Sequence, residues 1–131
     1  MGEKRIVITG GAGKTGKQTI LLAKKVGYET VSLDLKNSKY ADKSFIVDIS
    51  KEDEVAQVFR EIGNLDALVC LAGTNISGRI QSFSWESWKN LMAINVRGPM
   101  ISIKYASPYF RKDSSIVLTS SVSAYTGSSG N

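Results

Sequence analysis

Apolar positions along the chain fall into short continuous runs that alternate with segments of helical spacing. The runs are rich in branched side chains, which predicts buried strands, and they lie at residues 6–8, 30–33, 44–47, 65–71 and 115–120. After the first run, Ile20, Ala23 and Val26 recur at helical spacing, and Gly27 supplies a helix stop signal. The chain is therefore predicted to begin with a strand, a turn and a helix.

Further helices are predicted between the later strands. Ser50 and Asp53 have the spacing of a capping pair before an amphipathic segment, and Ser84 is a second predicted cap. A longer helix is predicted over 95–112. Because strands alternate with helices, we expect one α/β domain over 1–131, with a doubly wound parallel sheet of about five strands.

The turn after the first strand is rich in glycine. Gly11, Gly13 and Gly16 form G-x-G-x-x-G, a pattern that permits a tight turn, close approach of a pyrophosphate and close packing of the following helix. Asp34 follows about twenty residues later, where an acid accepts hydrogen bonds from an adenosine ribose. The pattern predicts a dinucleotide site, whose candidate residues in this turn are Gly10, Gly13, Lys14, Thr15 and Gly16.

The same turn is similar to the phosphate loop of nucleotide triphosphatases, G-x-x-x-x-G-K-[ST]. If Gly13, Lys14 and Thr15 complete that pattern, its first glycine falls on Ile8. A shifted register places Gln18 where the magnesium-binding hydroxyl belongs. Each register fails at one required position, so a triphosphatase is the less favoured alternative.

Composition is that of an ordinary globular protein. The chain has 131 residues, a net charge of +5 and no apolar run of the roughly 18 residues that span a bilayer. The N-terminal apolar run is too short for a signal peptide. The lysines are scattered, with no basic run interleaved with aromatic residues, so we expect no nucleic-acid partner. These features predict a cytoplasmic protein with no membrane partner.

Histidine is absent, and Cys70 is the single cysteine. The absence of histidine excludes Ser-His-Asp and Cys-His nucleophilic schemes and the common histidine zinc sites. Cys70 lies in an apolar run and is expected to be a small core residue. No metal site is predicted, and acid–base chemistry has to use tyrosine, lysine, serine or carboxylates.

Several motifs, in order along the chain, resemble those of the short-chain dehydrogenase/reductase family. The family's T-G with spaced glycines and half of its N-N-A-G loop are met at Thr9, Gly10, Gly13, Gly16, Ala72 and Gly73. Its W-x-x-x-x-x-x-N, N-V-x-G and I-V-x-x-S-S motifs are met at Trp88, Asn95, Val96, Gly98, Ile116, Val117, Ser120 and Ser121. The resemblance covers the whole chain and implies a Rossmann-like fold.

The resemblance also implies roles for individual residues. Asp34 would bind the ribose, and Asp48 with Ile49 would contact the adenine. Ser121 would orient a substrate carbonyl, and Asn95 would support the proton relay. Pro99 lacks the N–H that would bond the carbonyl of Asn95, so that oxygen is free to hold a relay water.

The implied activity is hydride transfer between a nicotinamide cofactor and a small-molecule carbonyl or alcohol. Asp34 favours NAD over NADP because a carboxylate repels a 2′-phosphate, although Lys14 and Lys36 soften that repulsion. We expect a homo-oligomer, because the last strand and the 95–112 helix would leave apolar surface uncovered. Trp85, Trp88 and Tyr105 are predicted to pack, and Lys104 to lie on the surface.

Two departures from the family pattern qualify this interpretation. The spacing T-G-x-x-G-x-x-G is that of the larger branch acting on nucleotide sugars, whereas the segment around Trp88 favours the compact branch. The family's catalytic Y-x-x-x-K is also absent, since Tyr40 is followed four residues later by Ser44 and Tyr125 by Ser129. We therefore expect an incomplete and inactive chain, either a fragment of a longer enzyme or a non-catalytic dinucleotide-binding module.

Overall fold

A computed structural model describes residues 3–127 and places the predicted strands in one parallel sheet. The five strands have the order β3-β2-β1-β4-β5, and neighbouring strands are parallel throughout. Their bounds are Lys4–Thr9 (β1), Tyr28–Asp34 (β2), Lys43–Ile46 (β3), Leu65–Cys70 (β4) and Phe110–Leu118 (β5). The predicted α/β, Rossmann-like sheet is confirmed.

Helices cover both faces of the sheet. They are Lys14–Lys25 (α1), Glu52–Ile62 (α2), Trp85–Met92 (α3) and Gly98–Ala106 (α4). A π-helical turn at Ala93–Arg97 joins α3 to α4, and single 3-10 turns lie at Ile80–Ser82, Ser107–Tyr109 and Val122–Ala124. Within residues 3–127, none of these helices has the length and apolarity needed to cross a bilayer.

Side-chain alternation along the strands divides the core into two layers. Ile6 and Ile8 of β1 pack with Ile20 of α1 on one face. Val7 points to the opposite face, where Phe59 of α2 is among the fully buried side chains. Because both faces are covered, the central strands are apolar on both sides. This arrangement leaves the carboxyl ends of the strands as the edge where loops can form a site.

The predicted helix over 95–112 is wrong in its last third, from residue 107 onward. Helix α4 ends at Ala106, and the chain passes through the 3-10 turn that contains Pro108 before β5 begins at Phe110. Proline removes a backbone donor and clashes with the preceding helical turn, which accounts for this end. Strand β5 therefore begins before residue 115, the predicted start.

The predicted capping pair at Ser50 and Asp53 is also wrong. Lys51 precedes α2, and no side chain caps this end. Ser50 instead donates its hydroxyl to Oδ1 of Asp48 at 2.7 Å. The predicted cap at Ser84 is confirmed, since its Oγ accepts a hydrogen bond from the backbone N–H of Ser87 at 3.0 Å.

Predictions for the aromatic residues have mixed outcomes. Trp85 and Trp88 are exposed, at 70% and 47%, and α3 buries none of its residues, so their predicted packing is wrong for the described chain. Tyr105 packs against the core as predicted, and its hydroxyl also donates to Glu52 at 2.9 Å. Lys104 is exposed, as predicted.

Ser129, which the sequence places four residues after Tyr125, lies outside the described residues.

Candidate functional site

The glycine-rich turn between β1 and α1 is bonded to the end of β2. The backbone N–H of Gly10 donates to the carbonyl of Leu33 at 2.7 Å, and that of Ala12 donates to Oδ2 of Asp34 at 3.0 Å. Within the turn, the N–H of Gly13 donates to the carbonyl of Gly10 at 3.1 Å. These bonds hold the turn at the carboxyl edge of the sheet.

Glycine is required at two positions of this turn for different reasons. Gly10 has a φ of +73°, and a Cβ there would lie 2.7 Å from the backbone nitrogen of Ala72. A Cβ on Gly16 would lie 2.7 Å from Cα of Gly11 and would also strike the carbonyl of Gly10. Either substitution would displace backbone, so the turn forms a cradle that a side chain would fill.

Helix α1 begins at Lys14 with Gly13 at its N-cap, and no side chain caps this end. The first intrahelical acceptor is the carbonyl of Gly13, bonded by the N–H of Lys17 at 2.9 Å. The N–H groups of Lys14, Thr15 and Gly16 therefore have no partner within the helix. They form the end of the helix that carries partial positive charge.

A cleft of about 320 Å³ lies beside this turn. Most of the predicted cofactor-binding residues line it, namely Gly10, Gly13, Asp34, Asp48, Ile49, Ala72 and Gly73. Lys14, Thr15 and Gly16 follow in α1 and are not part of its wall. Its other lining residues were not predicted from the sequence, and they are Leu35, Val47, Leu71, Thr74 and Ile94.

Asp34 has a structural contact in addition to its place in the cleft wall. Its Oδ2 accepts from Ala12, and its Oδ1 accepts from the backbone N–H of Lys36 at 3.1 Å. An ionised carboxylate offers about four acceptor positions, so about two remain for other donors. Asp34 can therefore hold the turn and accept further hydrogen bonds.

Asp48 is held by the segment that follows it. Its Oδ1 accepts from the backbone N–H of Ser50 at 3.0 Å and from the hydroxyl of the same residue. The backbone N–H of Asp48 donates to Oε2 of Glu54 at 3.0 Å. These bonds fix the Asp48 carboxylate at the cleft wall next to Ile49.

A second cleft, of about 270 Å³, shares Leu71, Ala72 and Gly73 with the first. Asn95 and Ser121, the two candidate catalytic residues, both line it. The structure thus brings both residues to one cleft that adjoins the first along a common wall.

Asn95 fixes the loop that separates the two clefts. Its Oδ1 accepts from the backbone N–H of Thr74, and its Nδ2 donates to the carbonyl of Thr74, both at 2.8 Å. Asn95 lies in the π-helical turn, directly before the stretch where Pro99 interrupts backbone hydrogen bonding. The side chain of Asn95 is thereby committed to the loop.

Ser121 follows β5 and lines the second cleft. Its Oγ accepts from the backbone N–H of Ser123 at 3.2 Å, and the residue is exposed. The preceding Thr119 donates its hydroxyl to the carbonyl of Cys70 at 2.7 Å, which ties this segment to β4. The hydroxyl of Ser121 can still donate to a group placed in the cleft.

Comparisons with known proteins agree with this geometry. The family described as enoyl-(acyl carrier protein) reductase matches residues 6–131. The chain belongs to the short-chain dehydrogenase/reductase family. A curated relative, the dihydropteridine reductase of Dictyostelium discoideum, is 27% identical over an alignment of 132 residues. The match covers 97% of this chain and 57% of the relative.

Solved structures of the short-chain dehydrogenase/reductase family have the same architecture. The ligand-free aldohexose dehydrogenase of Thermoplasma acidophilum is 27% identical with a TM-score of 0.88, covering 98% of this chain and 53% of that one. A variant of ElxO with NADPH bound is 25% identical with a TM-score of 0.83, covering 97% and 59%. The chain therefore spans a little more than half the length of these relatives.

Cys70 is the last residue of β4 and lies in the core layer that contains Val7 and Phe59. Burial raises the pKa of its thiol to about 11. The residue is buried and forms no disulfide. A thiol in this state is a poor nucleophile, because the thiolate is the reactive form. Cys70 is the small core residue that the sequence predicts.

Proposed function

We propose that residues 1–131 form the dinucleotide-binding domain of an NAD(P)-dependent oxidoreductase that acts on a small carbonyl or alcohol compound. The observation that carries the proposal is the pair of adjoining clefts. One contains the glycine turn and Asp34, the other contains Asn95 and Ser121, and they share the wall formed by residues 71–73. The activities named for two of the relatives, a pteridine reductase and a sugar dehydrogenase, support the same reaction class.

The residues present fit a dinucleotide. The glycine cradle accepts the close approach of a pyrophosphate, and the N–H groups of Lys14, Thr15 and Gly16 would bind its oxygens. The remaining acceptor positions of Asp34 would bind the adenosine ribose hydroxyls. Asp48 and Ile49, which line the same cleft, would contact the adenine.

The second cleft supplies groups for the substrate. The nicotinamide cofactor, when bound, supplies the hydride or accepts it. The Ser121 hydroxyl would donate to the substrate oxygen and so stabilise the charge that develops there. Asn95 would hold the loop at Thr74, and its main-chain carbonyl would accept from a relay water.

We expect NAD to bind in preference to NADP. The carboxylate of Asp34 would lie close to a 2′-phosphate, and two negative charges in a partly buried cleft repel each other. Lys14 and Lys36 are exposed near the turn and weaken that repulsion. An NADPH-bound structure among the relatives shows that the fold also serves the phosphorylated cofactor.

Calorimetric titration of the chain with NADH, NADPH and Mg-ATP tests the cofactor assignment. We expect NADH to bind more tightly than NADPH, and Mg-ATP not to compete. The Gly13→Val variant should lose NADH, because its side chain would enter the cleft while its Cβ approaches only the Gly10 carbonyl, at 3.3 Å. In the matched control Gly127→Val, the added Cβ has no non-adjacent atom of residues 3–127 within 4 Å, and this variant should bind as the wild type does. Tighter binding of Mg-ATP than of NADH would contradict the proposal and favour a triphosphatase.

The 131 residues contain no tyrosine followed four positions later by lysine. A missing general acid typically costs about two to four orders of magnitude in rate. We therefore expect this chain to bind NADH with negligible turnover of aldohexoses or other carbonyl compounds. A non-catalytic binding module predicts the same inactivity, so a longer product with a Y-x-x-x-K segment is the discriminating sample. That product should be active and should lose activity on Ser121→Ala, whereas turnover by the 131-residue chain would contradict our account.

A further inference from the structure

The connection between β2 and β3 contains one buried polar residue. Ser38 is only 4% exposed, although its neighbours Asn37 and Lys39 are both exposed. A serine in a polar surface loop ordinarily points to water. Its burial indicates that its hydroxyl has a partner inside the protein.

That partner is the glycine turn. The hydroxyl of Ser38 donates to the carbonyl of Gly11 at 3.2 Å, across 27 positions of sequence. The backbone N–H of Ser38 in turn donates to Oγ of Ser44 at 2.9 Å, which anchors the loop to β3. Ser38 is thus bonded to β3 through its backbone and to the glycine turn through its side chain.

The bond acts on a single peptide group. The carbonyl of Gly11 and the N–H of Ala12 belong to one planar unit. Its N–H donates to Asp34 and its carbonyl accepts from Ser38, so the unit is held at both ends. Rotation of this plane would redirect the turn that leads into Gly13 and the first N–H groups of α1.

Contacts beneath the turn restrict the same unit. A Cβ on Gly11 would lie 2.8 Å from Cβ of Ser32 and closer still to its hydroxyl. Gly11 therefore rests against Ser32, which leaves the peptide no room to move toward the sheet. Ser32 limits the peptide by contact, and Ser38 fixes its orientation by a hydrogen bond.

We propose that Ser38 is a positioning residue for the phosphate-binding turn, which it holds in the binding conformation before a ligand arrives. The inference rests on the proposed function, because it assigns the pyrophosphate to this turn. Preorganisation of this kind raises affinity by removing the cost of ordering the loop on binding. The effect falls on the diphosphate part of the ligand, because Asp34, which would bind the adenosine ribose, is also held by the backbone N–H of Lys36.

Titrations with ADP-ribose and with adenosine test the inference. Loss of one hydrogen bond corresponds to about fivefold in affinity. We expect Ser38→Ala to bind ADP-ribose about fivefold more weakly and to leave adenosine affinity, followed by NMR, unchanged. Ser38→Thr retains the hydroxyl and should recover most of the loss. Thermal unfolding checks that each variant is folded, and Ser38→Gly serves as a second hydroxyl deletion.

Ser107→Ala is the matched control, since its hydroxyl also donates to a backbone carbonyl, that of Ile103 at 2.7 Å, on a helix away from the clefts. It should leave both affinities unchanged. Equal ADP-ribose affinity for wild type and both hydroxyl deletions, or equal losses for ADP-ribose and adenosine, would overturn the role of Ser38. Failure of the wild type to bind ADP-ribose would instead overturn the proposed function.

Discussion

At the scale of single residues, the side chain of Ser32 occupies the space that a side chain at position 11 would need, so only glycine fits there. Gly11 has no left-handed backbone conformation, so space alone excludes a side chain there. Overpacking of this kind typically costs about 1–3 kcal/mol. We expect Gly11→Ala to lower the free energy of unfolding by that amount in urea titration, and the added Ser32→Gly substitution to recover at least half.

Gly127→Ala is the control for this pair and should change little, since among residues 3–127 no non-adjacent atom lies within 4 Å of a Cβ added there. If Gly11→Ala is as stable as the wild type, the structure accommodates the contact with Ser32 at no cost in free energy. If the double variant loses the sum of the two single-variant losses in free energy of unfolding, Ser32 is not what excludes the side chain.

Asp34 is expected to set the cofactor preference. Asp34→Asn removes the negative charge and keeps one acceptor oxygen for Ala12. We predict that the ratio of NADPH to NADH dissociation constants falls by about tenfold, because charge-assisted hydrogen bonds contribute about 1.5–3 kcal/mol. Calorimetry with both cofactors measures this ratio, and Asp113→Asn, at an exposed position in β5, is the control. An unchanged ratio would remove Asp34 from the ribose site.

Much of the site was predictable at this scale. The glycines and Asp34 are recognisable because their spacing along the chain reflects the turn itself. Leu35 and Val47 were missed, although each follows the end of a strand and that position is a usable signal. Ile94 and the Asn95 contact with Thr74 depend on the π-helical turn, which no periodic pattern predicts.

At the scale of elements, Asp42 joins the β2–β3 connection to β2. Its Oδ2 accepts from the backbone N–H and the hydroxyl of Thr30, at 2.8 and 2.7 Å, and Lys24 of α1 lies 2.8 Å from Oδ1. Burial raises the pKa of Asp42, but the hydrogen bonds from Lys24 and Thr30 outweigh it and hold the pKa at about 2, below the ordinary 3.8. The ionised form is therefore the one that stabilises the fold.

The stabilisation from Asp42 should be present above about pH 4 and should disappear as the pH falls through about 2, because the folded pKa lies below the unfolded one. The side chain is 42% exposed, so we expect a contribution of only about 1 kcal/mol at pH 7. Thermal unfolding of wild type and Asp42→Asn should show a gap at pH 7 that narrows toward pH 2.5. A gap that stays constant with pH would contradict this assignment.

The elements themselves were predictable where a repeating pattern dominated. Strands β1 to β4 were recognised from apolar runs, with boundaries shifted by a few residues. The start of β5 was predicted too late, because the strand contains an irregularity near its beginning. Leu65 pairs with Phe110 whereas Ala67 pairs with Ser115, so β5 has more residues than β4 between these two pairs. Asp113 there has a φ of 65°, an uncommon conformation that accommodates the irregularity. No apolar periodicity marks such a segment.

At the scale of the whole molecule, the described chain carries an apolar surface around α3 and β5. Trp85, Trp88, Met92 and Val96 are exposed along α3 and the π-helical turn, and β5 is an edge strand with Val117 half exposed. Such patches and open strand edges favour association. We expect the 131-residue chain to self-associate, as the sequence analysis predicted.

Light scattering over a range of concentrations measures this association. The combined substitution Trp88→Lys and Val117→Lys should shift the chain toward monomer, because it places charge on the helix surface and on the strand edge. Leu22→Lys, at a comparably exposed apolar position on α1, is the matched control and should leave the association unchanged. A monodisperse wild-type monomer at high concentration would contradict the prediction.

The central claim is that a nicotinamide dinucleotide binds across the carboxyl edge of this sheet. Amide chemical shifts of the 131-residue chain during titration with NAD test that claim most directly, because they report the location of the ligand residue by residue. The account predicts saturable shifts at residues 13–16, at Asp34, at Asp48 and Ile49, and at residues 72–74. Shifts confined to α3 and β5, or none at millimolar NAD, would contradict it.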